Sequence, residues 1–426
     1  TNGHTITAAG NATHLSFSPY RHGGYSTYFD GSGDYLTGPS IVLTNTVPFT
    51  IELWYYNTST GTTEEGIIVQ RNGASSPWNG WRIFNNVGSA DTLSFYNGTS
   101  YVTIATNLPR NQWHHIAVVS QGSGTNQGQC YLNGVASGSA FTVDSLINFN
   151  GNLAIGTDNG VTSRTMTGYL ADVRVVNGTA VYTSNFTPPT ERLTAISNTS
   201  LLTCHLPYIA DGSTNDHSIT VNGNTKTEPF SPYDYETYSA TDNGGSMAFD
   251  GSGDYLTIAS GSHFADIGTD DFTVEWWEYI TGWPNQYFPI FHYGNLGDTS
   301  NFTANIGIRY EGSGANIRIG ISGSYIDFTG LTTPLNVWRH CAIVRSGTTA
   351  TLYRNGKVDG SVTLSNNITQ GTGQSIIGGA YFGGGSGSLY SSTGFISDLR
   401  VVKNSTVYTS AYTPPTTPLT AITNTS

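Results

Sequence analysis

One stretch of this chain occurs twice, and everything else must fit around it. Leu170 to Ser200 reads LADVRVVNGTAVYTSNFTPPTERLTAISNTS, and Ile396 to Ser426 reads ISDLRVVKNSTVYTSAYTPPTTPLTAITNTS. Nineteen of the thirty-one positions are identical without a gap, so the protein is a tandem duplication. Its offset of about 220 residues is domain-sized, far above the period of a stacked-repeat solenoid. Two domains follow, each long enough to bury a large core.

Other segments repeat in the same order. Residues 1–20 match residues 214–233, and Tyr28-Phe-Asp-Gly-Ser-Gly-Asp-Tyr-Leu36 matches Ala248-Phe-Asp-Gly-Ser-Gly-Asp-Tyr-Leu256. Phe49-Thr-Ile-Glu-Leu-Trp-Tyr55 matches Phe272-Thr-Val-Glu-Trp-Trp-Glu278, and Trp113-His-His-Ile-Ala matches Trp338-Arg-His-Cys-Ala. All are short runs rich in β-branched and aromatic residues, bounded by Gly, Asn or Pro. None holds a helical period for three turns. Asn133-Gly134 and Asn355-Gly356 predict type I′ hairpins, whose central residues both need positive φ. The fold class expected is all-β: two tandem antiparallel jelly-roll sandwiches.

The boundary is expected near Ser200, giving domains 1–200 and 201–426. Pro188-Pro189 and Pro414-Pro415 stiffen the exits as extended polyproline. Leu201-Leu-Thr-Cys-His-Leu206 reads as the opening strand of the second copy. The first copy has no counterpart, so either sequence upstream of Thr1 or edge addition from another chain would supply it. The chain begins at Thr1 with methionines only at 166 and 247. That reads as a processed chain or a piece of something longer.

Only 10% of residues are charged, against roughly 25% in an ordinary soluble protein. Asn, Ser, Thr and Gly replace them, and such a surface is little affected by salt. That suits an extracellular or virion setting. Net charge is −12 with no basic cluster, which argues against nucleic acid. No apolar run of spanning length occurs, so no membrane insertion is expected. Three cysteines make no disulfide framework. Cys341 aligns with Ile116 and Cys130 with Leu352, while Cys204 lies in an apolar run, so all three are expected as packed, reduced thiols.

The order of these motifs, ending in Gly-x-x-x-Asp-x-Arg-Val, resembles the laminin-G-like, concanavalin-A-like jelly-roll module over both copies. The closing Val-Tyr-Thr-Ser-x-x-Thr-Pro-Pro-Thr resembles modules of phage structural and tail-fibre proteins, cyanophages especially. The resemblance implies adhesion, commonly to glycans, or a spacer role in a fibre.

A glycan hydrolase would need two carboxylates facing one groove. Glu52 stands alone on its strand, and Glu275 and Glu278 point to opposite faces. The protein is therefore expected not to be an enzyme. Thr50, Glu52, Trp54 and Tyr56 share the outer or concave face, as do Thr273, Glu275, Trp277 and Tyr279. A half-buried carboxylate needs a partner, so Glu52–His115 and Glu275–His340 pairs are expected. Asp172/Arg174 and Asp398/Arg400, each i, i+2 on one strand, are expected as structural charge pairs. Asp30, Asp34, Asp250 and Asp254 read as hairpin-turn residues, with calcium the weaker alternative; no other cofactor is expected. Trp78, Asn79, Trp81, Trp283, Asn285 and Tyr287 are the best glycan contacts, or else rings packed at loop–core junctions or a subunit interface. The function expected is a self-associating fibre protein, first of a phage virion, alternatively of a cellular extracellular filament or a secreted lectin-like adhesin.

Overall fold

A computed structural model describes residues 5–20, 23–73, 78–158, 163–233, 239–258, 267–283, 287–293, 306–321, 324–368, 375–382 and 388–425. Two compact units result, one of residues 21–236 and one of residues 1–20 with 237–426. Each is a sandwich of two antiparallel sheets.

In the first unit, one sheet runs Val135–Phe141, Gly128–Leu132, Trp113–Ser120, Phe49–Asn57, Thr167–Asn177, Ser26–Asp30, Lys226–Glu228. The facing sheet runs Thr220–Asn222, Tyr35–Gly38, Leu153–Ile155, Glu65–Arg71, Gly80–Asn85, Leu93–Tyr96, Tyr101–Ala105. Strand alternation builds the core between them. Phe49, Ile51, Leu53 and Tyr55 point inward to meet Trp81, Ile83, Leu93 and Phe95. The second unit repeats this plan. Its first sheet runs Thr13–Leu15, Ser246–Asp250, Thr393–Lys403, Phe272–Ile280, Trp338–Ser346, Thr349–Arg354, Lys357–Thr363. Its second runs Ile6–Ala9, Tyr255–Ile258, Ser375–Ile377, Phe288–Tyr293, Ile306–Glu311, Asn316–Ile321, Ser324–Thr329.

The division differs from the one read at Ser200. Leu201–Leu206 does not open the second sandwich. Thr199–Thr203 pairs with the half of Thr167–Asn177 that Ser26–Asp30 leaves uncovered, in the register Val173↔Thr203, Arg174↔Leu202, Val175↔Leu201. Leu201 and Cys204 thereby enter the first core, and the first sandwich has its strand. Residues 214–233 also stay with the first sandwich, while their likeness, residues 1–20, lies on the second. Each such segment packs on a sandwich other than the one it runs into.

Behind the first sheet of each unit, the Tyr-Thr-x-x-x-Thr-Pro-Pro tail folds back as a strap. Its anchor is the Asn-Gly turn. Asn133 and Gly134 take φ of 50° and 78°, as a type I′ turn requires. Phe186 N donates to Gly134 O at 2.8 Å, and Tyr412 N to Gly356 O at 2.8 Å. A Cβ on either glycine would overlap the strap carbonyl of Phe186 or Tyr412. The three cysteines are buried in the cores, as the aliphatic alignment predicts. Burial pushes the Cys204 thiol up to about 12.

Gly134→Ala should therefore lift the strap and destabilise the first sandwich by about 1–3 kcal/mol. Gly61→Ala, at an exposed position where a Cβ would meet only Ser59 Oγ at an ordinary 3.5 Å, should be near neutral. Thermal denaturation of the two variants beside the parent checks this.

Candidate functional site

Three groups of polar side chains stand out. The first lies under the strap. Arg174 Nε and Nη2 donate to Glu52 Oε1 at 2.8 and 2.6 Å, and the Tyr182 hydroxyl donates to Glu52 Oε2 at 2.7 Å. His115 Nε2 stands 3.4 Å from Glu52 Oε2. The second sandwich repeats the quartet: Arg400 Nη2 is 2.6 Å and His340 Nε2 3.3 Å from Glu275, and Tyr408 donates at 2.7 Å. The predicted Glu–His pairs are thus present, on the outer face of the sheet. That face is not open, because the strap covers it. Tyr182 stacks on Phe186 at 3.6 Å, and Tyr408 on Tyr412 at 3.6 Å. Burial alone would raise the Glu52 carboxyl, but His115, Arg174 and Tyr182 outweigh it and hold it below the ordinary carboxylate range.

The expected Asp172/Arg174 and Asp398/Arg400 pairs do not form. A bulge between Ala171 and Arg174 inserts one residue, and Asp172 takes φ of 50°. This breaks the two-residue alternation that would put both side chains on one face. Arg174 turns to Glu52. Asp172 instead accepts from Leu193 N at 3.1 Å and from the Tyr233 hydroxyl. Asp398 likewise has φ of 49° and faces Tyr20, while Arg400 goes to Glu275.

The second group comprises the two Asp-Gly-Ser-Gly-Asp loops. Their carboxylates bind backbone. Asp30 Oδ1 accepts from Ser32 N at 2.7 Å, and Asp34 accepts from Asp30 N at 3.0 Å and Asn224 N at 2.7 Å. Asp254 repeats this with Asp250 N and Asn11 N at 2.8 and 2.7 Å. Among the described residues no group of three His, Cys, Asp or Glu is placed to hold a metal ion.

The third group lies on the outer face of the facing sheet, which no strap crosses among the described residues. In the first sandwich, Asp158 gathers three arginines, with Arg71 at 2.7 Å, Arg82 at 3.0 Å and Arg164 at 2.9 Å. Glu64 also binds Arg164, at 2.8 Å. Around them lie aromatic rings. Arg82 sits 3.9 Å above Phe84 and 5.7 Å from Trp78. Tyr96 packs against Trp78 and Tyr101, and Tyr101 is 43% exposed. The second sandwich carries a related face. Arg318 binds Glu311 at 2.8 Å and Asp327 at 2.7 Å, and lies 3.8 Å over Tyr325, which is 56% exposed. Arg309 lies 5.0 Å over Tyr287.

The residues singled out as glycan contacts divide accordingly. Trp78 and Tyr287 belong to these faces. Trp81 is fully buried in the first core, because it is three residues from Trp78 and its strand points Trp81 and Ile83 inward, Arg82 and Phe84 outward. Trp283 packs on the second core beside Phe288 and Tyr310. Asn79 is half-buried and donates its backbone N–H to Asn72 at 2.8 Å. Asn285 lies outside the described residues. Sequence reasoning missed Arg71, Arg82, Tyr101, Asp158, Arg164, Arg318 and Tyr325. Their signal was present: outward strand positions carrying arginine in a chain that uses so few charges.

The model of the Concanavalin A-like lectin/glucanases superfamily, laminin G type, matches residues 30–181 and 250–406. No curated protein matches. Among solved structures, the chain is similar to domains LG4-5 of the mouse laminin alpha1 chain, at 12% identity and a TM-score of 0.28. That match covers 91% of this chain and 90% of that one. Domain 4 of an extracellular arabinanase from Geobacillus stearothermophilus, in complex with arabinotriose, matches at 17% identity and a TM-score of 0.29. It covers 40% of this chain and 77% of that one. The enzymatically active domain of tailspike protein 2 of bacteriophage CBA120 matches at 14% and 0.29, covering 38% and 26%. At such identities these likenesses carry nothing about activity or ligand.

Removing the acceptor under the strap has a defined cost. Glu52→Ala leaves Arg174 and His115 unpaired, a loss of about 3–5 kcal/mol at neutral pH. Because the folded carboxyl lies below its ordinary 4.5, its contribution is complete above that value and lost as pH falls through the folded one. The difference in melting temperature between parent and variant should therefore shrink below pH 4.5, which calorimetry at pH 7 and pH 3 would check.

Proposed function

The chain belongs to the Concanavalin A-like lectin/glucanases superfamily, and from that premise we propose a non-enzymatic adhesive and structural protein whose unstrapped sheets bind neutral glycans. The observation that carries this reading is the pair of outer faces built from aromatic rings and arginine–carboxylate networks. Sugar rings present apolar C–H faces and dense hydroxyls. Half-exposed rings such as Tyr101 and Tyr325 offer stacking surface, and the part-exposed Arg164, Glu64, Arg318 and Asp327 offer polar groups for the hydroxyls, with Arg71, Arg82 and Asp158 buried beneath them. Four carboxylates, Asp158, Glu64, Glu311 and Asp327, are paired with the five arginines, so little positive charge is left over and the faces favour a neutral ligand over phosphate or nucleic acid.

The same networks argue against hydrolysis. Asp158 and Glu64 lie within 2.9 Å of one Arg164 nitrogen, where a scissile oxygen would have to sit. Arg71, Arg82 and Arg164 offset the burial of Asp158 and keep its carboxyl ionised, below the usual range. It cannot donate the proton that a leaving sugar needs.

We place the protein outside the cell, as a virion fibre component. A surface with so few charges is little affected by salt, and free thiols buried in the cores need no reducing compartment. No described helix is long and apolar enough to cross a membrane.

A glycan array probed with the full chain tests the reading. Tyr101→Ser and Tyr325→Ser should each weaken binding at their own sandwich by about tenfold, read well below each variant's melting transition because Tyr101 also accepts from the buried Arg82 at 3.0 Å. Binding indifferent to both substitutions, no binding to any neutral glycan, or release of reducing ends from a bound one would overturn it.

A further inference from the structure

Each sandwich is closed along one edge by a plug, residues 5–20 on the second and residues 218–233 on the first. Each plug adds one strand to both sheets. Ile6–Ala9 pairs with Tyr255–Ile258 and Thr13–Leu15 with Ser246–Asp250. Likewise Thr220–Asn222 pairs with Tyr35–Gly38 and Lys226–Glu228 with Ser26–Asp30. Asn11 N is clipped by Asp254 and Asn224 N by Asp34, at 2.7 Å in each case. Phe17 enters a box of Tyr279, Trp338 and Phe395, and Phe230 one of Tyr56, Trp113 and Tyr169. Tyr20 then faces Asp398, and Tyr233 binds Asp172.

Beside this shared seating the two sandwiches differ. In the first, Tyr28 and its register partner Lys226 stand together on the outer face of the strapped sheet. Lys226 Nζ lies 5.0 Å over the Tyr28 ring, and Tyr28 packs on Tyr169 at 4.9 Å. In the second, the same three positions hold Ala248, Thr13 and Phe395. Alanine and threonine cannot span the space that a phenol ring and a lysine chain fill. A recess of about 320 Å³ opens there, at the small end of the roughly 300–1,000 Å³ typical of ligand pockets. The flank of Phe395 corresponding to the one that Tyr28 covers on Tyr169 borders this space, and Phe395 is only half-buried.

Polar groups line the rest of the recess, among them Asn11, Asp250 and Thr393. Asp250 is exposed, and its oxygens accept one bond each, from Ser252 N at 2.7 Å and Asn11 Nδ2 at 3.0 Å. Each oxygen therefore keeps a lone pair for a further donor. The Thr393 hydroxyl is buried without a partner, which is uncommon for a buried polar atom and leaves it for a guest. Among the described residues no lysine or arginine lines the recess, so an anionic guest would meet Asp250 and Asp254 with nothing to offset them. We infer that the recess binds one neutral pyranose, a glycan's terminal residue, in the place that Tyr28 fills in the first sandwich. Its C–H face lies on Phe395, one hydroxyl donates to Asp250 and another meets Thr393. The inference rests on the glycan reading above for its ligand class only, because the recess is separate from the unstrapped faces.

Saturation-transfer NMR tests this with the methyl glycosides of glucose, galactose, mannose and N-acetylglucosamine. The full chain is used with Tyr101→Ser and Tyr325→Ser in place, so that the unstrapped faces contribute little. At least one glycoside should take up saturation. Adding Ala248→Tyr restores the side chain that the first sandwich carries at this position, and should cut that signal about tenfold. Adding Thr393→Val instead removes a hydroxyl that no protein group uses. It should leave the melting temperature unchanged or higher and still weaken the glycoside. Saturation of no glycoside, or a signal that either substitution leaves untouched, overturns the recess. Binding of p-cresol, the tyrosine side chain, where no glycoside binds also overturns it, in favour of a protein ring as occupant. The glycan array on the parent chain separates the two readings. Array binding with no glycoside in the recess sinks only the recess. Glycoside binding lost in Ala248→Tyr, beside an array indifferent to Tyr101→Ser and Tyr325→Ser, sinks only the faces.

Discussion

A carboxylate on the outer face of each strapped sheet organises the rest of its sandwich. Glu52 and Glu275 are wholly buried, and a buried charge is tolerable only when paired and fully hydrogen-bonded. Their partners come from three places that are remote in sequence. A histidine comes from the neighbouring strand, an arginine from the strand on the other side, and a tyrosine from the strap. None of these satisfies the carboxylate alone, so the central strands and the strap must close together. The strap contributes no strand to the sheet; besides the glutamate it is held by the Asn-Gly turn, a stacked pair of rings, a threonine at position 50 or 273, and packing of its rings on Ala117, Val119 and Tyr131 or on Ala342, Val344 and Tyr353.

The bulge beside the arginine serves the same end. By turning Asp172 and Asp398 out of alternation, it frees Arg174 and Arg400 for the glutamates. It also leaves each aspartate for the closing tyrosine of a plug, Tyr233 or Tyr20. Strap and plug are thus fastened within three residues of each other on one strand. The sandwich edge, the sheet's outer face and the plug slot depend on a single local irregularity.

Much of this was legible beforehand. Strand patterning, the Asn-Gly turns, the buried thiols and the Glu–His partners all follow from period-two alternation and from the cost of an unpaired buried charge. What was not legible depends on departures from that period. The bulge could not be seen in Asp-x-Arg, where the spacing alone puts both side chains on one face. Trp78 and Trp81 looked equivalent in a loop, yet Trp81 begins a strand and takes its inward position. The misplaced boundary has a different origin. Leu201–Leu206 is apolar enough for either sandwich, and sequence order favours the one that follows, whereas the open half of Thr167–Asn177 was already waiting in the one before.

Comparison of the two sandwiches separates framework from face. The quartet around each glutamate and the aspartate clips match residue for residue, and the phenylalanine boxes match position for position, with Phe395 where the first sandwich has Tyr169. Inside the second core, Glu278 and Arg339 form a buried pair at 2.8 Å, with Tyr310 and Trp276 also hydrogen-bonded to the carboxylate. In the first sandwich the aligned positions are Tyr55 and His114, so both members changed together and neither core is left with a lone charge. The unstrapped faces share only the need to pair their buried charges, not the identity of the partners. One builds its network around Asp158 with three arginines, the other around Arg318 with two carboxylates, and their rings stand at unrelated positions. Duplication of this kind preserves what fastens strap and plug, because each fastening has several partners that fail together. It leaves the outward faces free to diverge, since a side chain there answers only to its immediate neighbours and to whatever it binds.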